Sequence, residues 1–186
     1  MKQNSAALPL LLQVYQIFLA IIFPISFWTL FFFLRELPSY LMRMPGWDIL
    51  GVFAYSMVVS LLDSLLITAA VSFIAFILPG RFYRDHLVAQ GIVQAYLIIL
   101  TAVLFHLAST WNLLPSTIIF PWLILLSIGL FIGVSIFLNR LVIVSEKLQA
   151  NIHLFFERLT VLATIYLLIN LVAVLVVIIR NFGVRV

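Results

Sequence analysis

Ser56-Met-Val-Val-Ser60-Leu-Leu-Asp63-Ser64-Leu-Leu-Ile-Thr68-Ala-Ala-Val-Ser72 decides how this chain is read: it is apolar enough to cross a membrane, yet it carries a carboxylic acid near its middle. Ser56, Ser60, Ser64, Thr68 and Ser72 recur at every fourth position, so on a helix they stack along one face, and Asp63 stands beside that face. Small hydroxyl side chains bond back to the carbonyl four residues earlier and let a second helix approach closely, so the stripe reads first as a packing face. A water-lined pathway along it is the sharper alternative.

The rest of the chain has the same character. With 66% hydrophobic and 9% charged residues and a mean hydropathy of +1.29, its 186 residues lie far outside the range of water-soluble domains, which are about one quarter charged. The length suits one all-α transmembrane domain, a polytopic helix bundle. Its five spans are expected at about residues 8–34, 49–78, 87–107, 118–138 and 159–179. Lys2 followed by apolar sequence has no small-residue cleavage site at the end of the run, so it is read as an uncleaved first span. Pro24 predicts a kink there, with Ser26 or a neighbouring helix meeting the freed carbonyl. Residues 35–47 mix charge, Pro and aromatic side chains and are expected to lie along the bilayer surface, and Asp48 is expected to cap the next helix. Pro79-Gly80 ends that helix, Asp85 is expected to cap the third, and the connection after His106 carries no charge up to residue 117.

Residues 139–158 change the pattern. Leu141, Val144, Leu148, Ile152, Phe155 and Leu159 recur at three- and four-residue intervals with charged and polar residues between them, which predicts an amphipathic helix. No Pro or Gly separates it from the last span, so the two are expected to form one long helix. With five spans, Lys2, Arg81, Arg84, Arg140, Lys147 and Arg158 fall on the N-terminal side, and Arg35, Arg43, Arg180 and Arg185 fall opposite. That six-to-four bias and the uncharged connection predict N-in, C-out, in a plasma (inner) membrane. Trp28, Trp47, Trp111 and Trp122 would then form an outer belt.

Candidate sites follow from the polar residues that the spans carry. A mid-span acid costs about 2.5 to 3.5 kcal/mol to insert, which roughly six to ten surrounding Leu, Ile or Val residues offset. Asp63 is therefore either a proton or ion carrier or an acid bonded to a polar neighbour, and Asn170 and Tyr96 lie at matching depth. Gln13, Gln16, Gln90 and Gln94 are expected to form an inner polar layer, and Gly129 with Gly133 makes the small-xxx-small spacing of close helix packing. His106 and the cluster Arg81, Arg84, Asp85 and His86 read as interface residues, because a metal needs two or three converging ligands.

Enzymatic chemistry finds little here. Ser135 has a glycine on one side only, an aspartyl mechanism needs a second deep carboxylate, cysteine is absent, and no basic patch with interleaved aromatics suits nucleic acid. No cofactor is implied. The sequence is therefore read as a small non-enzymatic membrane subunit or assembly partner. Lipid is one partner, and other membrane subunits would meet the Ser/Thr stripe, Gly129/Gly133 or the 139–158 helix. The alternatives are a compact transporter or proton pathway using Asp63, and a membrane anchor for an extracytoplasmic enzyme.

Overall fold

In hydrocarbon no water is available to satisfy backbone polar groups, so an apolar chain of this kind satisfies them within its own helices. A computed structural model of the protein describes residues 10–77, 87–110 and 120–183, and all its regular structure there is helical. The helices are α1 (Leu10–Arg43), α2 (Gly46–Ile77), α3 (Leu87–Thr110), α4 (Phe120–Val144) and α5 (Glu146–Gly183). Four of them, α1, α2, α3 and α5, are long and apolar enough to cross a membrane. At 1.5 Å per residue the 25 residues of α4 extend about 37 Å, which also exceeds a hydrocarbon core of about 30 Å.

Two expectations about the connections are corrected. Residues 35–47 are not a surface connection: α1 runs unbroken through Pro24 and Pro38 to Arg43, and only Met44 and Pro45 separate it from α2. The turn beyond Pro38 is held in part by the ring of Tyr40, 6.0 Å from that of Phe33 one heptad earlier. The Met44 amide then bonds the Tyr40 carbonyl, and Pro45 has no amide to continue the ladder. The Pro45 carbonyl accepts from the amides of Asp48 and Ile49, so Asp48 sits in the first turn of α2 rather than capping it.

The second correction concerns residues 139–158. They do not form one helix with the last span, because the chain breaks at Ser145 and residues 139–144 complete α4. Serine is a favoured N-cap, and the Ser145 carbonyl accepts from the Gln149 amide at the start of α5. The Gln149 side chain turns back and donates to the Val142 carbonyl at 2.7 Å, satisfying an end group of α4. The anticipated apolar stripe is buried only in part. Val144 is 83% exposed and Leu141 and Phe155 are exposed, Ile152 is half-buried and Leu159 is buried, and the other buried residues here, Val142 and Phe156, lie off the stripe.

The chain divides into two compact units, Met1–Ala70 with Phe155–Val186, and Val71–Leu154. In the first unit α1 and α2 are antiparallel, since Ser26 meets Ser60 and Phe33 meets Phe53. Helix α5 is antiparallel to α2, pairing Asn170 with Ser60 and Arg180 with Asp48, and parallel to α1, pairing Tyr166 with Phe23. Its buried seam, Phe156, Leu159, Ala163, Asn170 and Ala173, with half-buried Tyr166 and Val177, advances by alternate steps of three and four residues. This is the period of coiled-coil packing. Ala54 and Met57 of α2 pack on Ala173 at its centre, edged by Phe53, Ile169 and Val176. In the second unit α3 packs on α4.

Candidate functional site

Polar side chains within an apolar three-helix unit are its candidate site, and they separate into three groups. The first lies at the centre. Asn170 of α5, Ser26 of α1 and Ser60 of α2 are each almost fully buried and converge from three helices. Asn170 Nδ2 donates to Ser26 Oγ at 2.8 Å, Ser60 Oγ donates to Asn170 Oδ1 at 3.2 Å, and the two serine oxygens are 3.3 Å apart. If Ser26 donates to Ser60, every member gives one proton and accepts one, so the three bonds close into a ring whose members polarise one another in the same sense. The Ser60 hydroxyl also lies 2.8 Å from the Met57 carbonyl, a second acceptor for the same proton.

Axial distances place this ring. Asn170 is ten residues from Arg180 along α5, about 15 Å at 1.5 Å per residue, and half of a 30 Å hydrocarbon core is also about 15 Å. The ring is therefore set well inside the apolar length of α5. Chemically it binds helices to one another: each hydroxyl proton and one amide N–H are spent between the three side chains.

The Ser/Thr stripe behaves as a packing face on either side of the ring. Ser64 and Thr68 are buried and donate to the carbonyls of Ser60 and Ser64 at 2.7 Å each, while Ser56 donates to that of Val52. Ser72 belongs to the second unit, is half-buried, and its hydroxyl has no hydrogen-bond partner among the described residues.

Asp63 forms the second group, and it stands apart. It is exposed, as are Val59, Leu62, Leu66 and Ala70 around it. At 100° per residue it points about 100° away from the buried Ser64. The anticipated Asp63–Asn170 pair is not made, because Asn170 is turned into the seam and spends its amide on Ser26 and Ser60. Among the described residues Asp63 has no hydrogen-bonding or ionic partner. It lies 15 residues from Asp48 and 14 from the last described residue of α2, about 22 Å and 21 Å along the axis, so neither end of the helix brings it to water. Tyr96, the other expected neighbour, is half-buried in the second unit.

The third group is a clasp at the end of the first unit where α2 begins and α5 ends. Arg180 Nη2 pairs with Asp48 Oδ1 at 2.6 Å, Nη1 donates to the Trp47 carbonyl at 2.7 Å, and Tyr55 donates to Asn181 Oδ1 at 2.7 Å. Gly51 makes room for it: a Cβ there would collide with the Arg180 guanidinium. Sequence reading placed Arg180 and Asp48 near the same interface without pairing them. The glycine one turn after Asp48 was the available signal.

No protein-family model, curated protein or solved structure matches this chain.

The remaining candidates lie elsewhere. Gln13 and Gln16 are half-buried in the first unit, and Gln90 and Gln94 are buried in the second, where Gln94 donates to Ser135 of α4 at 2.5 Å. Ser135 is thereby a helix-packing residue. Gly129 and Gly133 are exposed, and a Cβ at either meets nothing within 4 Å, so neither is a close-packing point with another described helix. His106 is exposed near the end of α3, where its carbonyl accepts from Thr110. Arg81, Arg84, Asp85, His86, Trp111 and Pro79-Gly80 lie outside the described residues. Among those residues no three His, Asp or Glu side chains converge as a metal site would require.

Proposed function

We propose that this protein is a non-enzymatic membrane subunit, an assembly partner of a larger membrane complex. The observation that carries this reading is Asp63, a mid-span acid that faces away from the seam of its own three-helix unit and has no partner among the described residues. Ionisable groups at this depth are retained where they pair with something, face water or act. The ring of Ser26, Ser60 and Asn170 absorbs the interior polarity that a pathway through the unit would need, and Asp63 does not belong to it. A partner outside the chain is the remaining use.

The same reading takes the chain as five spans, N-in and C-out, in a plasma (inner) membrane. It is supported by Arg43, at the end of α1, and Arg180 standing at the same end of the first unit, as that topology requires of two outer-side cations. Purification of the full chain from its native membranes in a mild detergent tests the function. The protein should migrate in an assembly larger than its own micelle and lose stability when stripped of it. Migration alone, with undiminished stability, refutes the subunit reading.

A further inference from the structure

The outward face of α2 has a regular form. Val59, Leu62, Leu66 and Ala70 advance by steps of three, four and four residues, and Asp63 lies beside them, one turn from Val59 and Leu66 and two turns from Ala70. All five are exposed, Val59 to 54% and Leu66 to 68%. This is a second seam, on the side of α2 away from Met57, Ser60 and Ser64. It has the spacing that another helix packs against, with a small residue, Ala70, where backbones can approach. Resting on the reading of the protein as a subunit, we infer that this seam docks a membrane-spanning helix of a different protein, one carrying a lysine or arginine at the depth of Asp63.

Charge and depth select that occupant. A carboxylate in hydrocarbon is complemented by a cation, and the described cations of its own unit are all far away along the helix axes. In the register that sets Ser60 beside Asn170, Asp63 lies level with about residue 167 of α5. Arg158 and Arg180 are then about 13 Å and 20 Å away axially, and Arg35 of α1, in the register that sets Ser26 beside Ser60, is about 18 Å away. A second copy inserted the same way preserves every depth. It brings Asp63 against another Asp63 but delivers no cation to that level. A helix from another protein has no such restriction.

The test uses full-length protein carrying a donor fluorophore on a C-terminal tag, reconstituted in phosphatidylcholine vesicles. Acceptor-labelled 21-residue Leu/Ala transmembrane peptides with lysine, leucine or glutamate at the centre are titrated in, and energy transfer reports association. The lysine peptide should bind at least tenfold more tightly than the leucine peptide, and the glutamate peptide no better than leucine. Asp63→Asn and Asp63→Leu should reduce the lysine preference to less than twofold, and Asp63→Glu should keep it. Because Asp63 is exposed, these variants should retain the wild-type fold, and Asp63→Glu provides the folded, acid-bearing control. Equal affinity for the lysine and leucine peptides, or a lysine preference that survives Asp63→Leu, overturns the inference. So does Asp63-dependent transfer between donor- and acceptor-labelled copies that the lysine peptide does not displace, which assigns the seam to a second copy. Sizing of the native assembly separates the two levels. A large assembly without lysine preference removes the cationic helix and keeps the subunit, whereas a solitary protein removes the subunit whatever the peptides do.

Discussion

Replacing Asn170 with alanine removes two of the three bonds of the central ring, the 2.8 Å bond to Ser26 and the 3.2 Å bond from Ser60. Interhelical hydrogen bonds between membrane helices average about 0.6 kcal/mol and reach about 1.7 kcal/mol, so the two together are worth about 1 to 3 kcal/mol. The loss is not evenly shared. Ser60 keeps the Met57 carbonyl as an acceptor, while Ser26 loses its amide donor and retains only the longer contact to Ser60. A double-mutant cycle over Asn170→Ala and Ser26→Ala isolates the shorter bond, with an expected coupling of about 0.5 to 1.7 kcal/mol. The assay is reversible unfolding in mixed micelles with increasing sodium dodecyl sulfate, followed by tryptophan fluorescence. Asp63→Asn serves as the contrast, because it alters an exposed side chain with no described partner, and its cost should stay within about 0.5 kcal/mol. A coupling near zero, or an Asp63→Asn cost larger than that of Asn170→Ala, refutes the assignment of the ring as the structural centre.

Two further outcomes test other parts of the fold. Gly51→Leu should displace the Arg180 guanidinium and break its contacts with Asp48 and Trp47, and because the pair is partly exposed the expected loss is about 1 kcal/mol or less, shrinking in high salt. Arg180→Ala in the Gly51→Leu background should add little, and a fully additive second loss would show that the two do not act together. Gln149→Ala should expose the Val142 carbonyl at the α4–α5 break and destabilise by about 0.5 to 1.5 kcal/mol. Faster amide exchange confined to the ends of α4 and α5 checks this, and unchanged protection there would refute the capping role.

Legibility in the sequence followed the range of the interactions concerned. The stripe from Ser56 to Thr68 was readable because four-residue spacing and back-bonding to the preceding turn are properties of one helix. Ser26 was read as a local response to Pro24, whereas its hydroxyl is engaged 34 and 144 residues away. The break at Ser145 is not legible in the sequence because neither Pro nor Gly marks it, and the side chain that bridges it, Gln149, looks like any other polar residue of an amphipathic pattern. Residues 35–47 have the composition of a surface connection, but Pro38 is tolerated within α1 and the aromatic contact of Tyr40 with Phe33 lies beyond it.

By itself, the sequence determined the class of protein: long apolar runs and a charge content of 9% leave helices in a membrane as the way to satisfy the backbone, and this is set by transfer free energies that each segment carries alone. It also located Asp63, the acid that stands near the middle of a long uncharged, largely apolar run. Only the tertiary structure decided which way that acid faces. A helical pattern defines faces only relative to one another, and which face is buried depends on the helices that pack against it. Asn170, Ser26 and Ser60 come together from three helices to take the inner position, and that packing leaves Asp63 on the outer one.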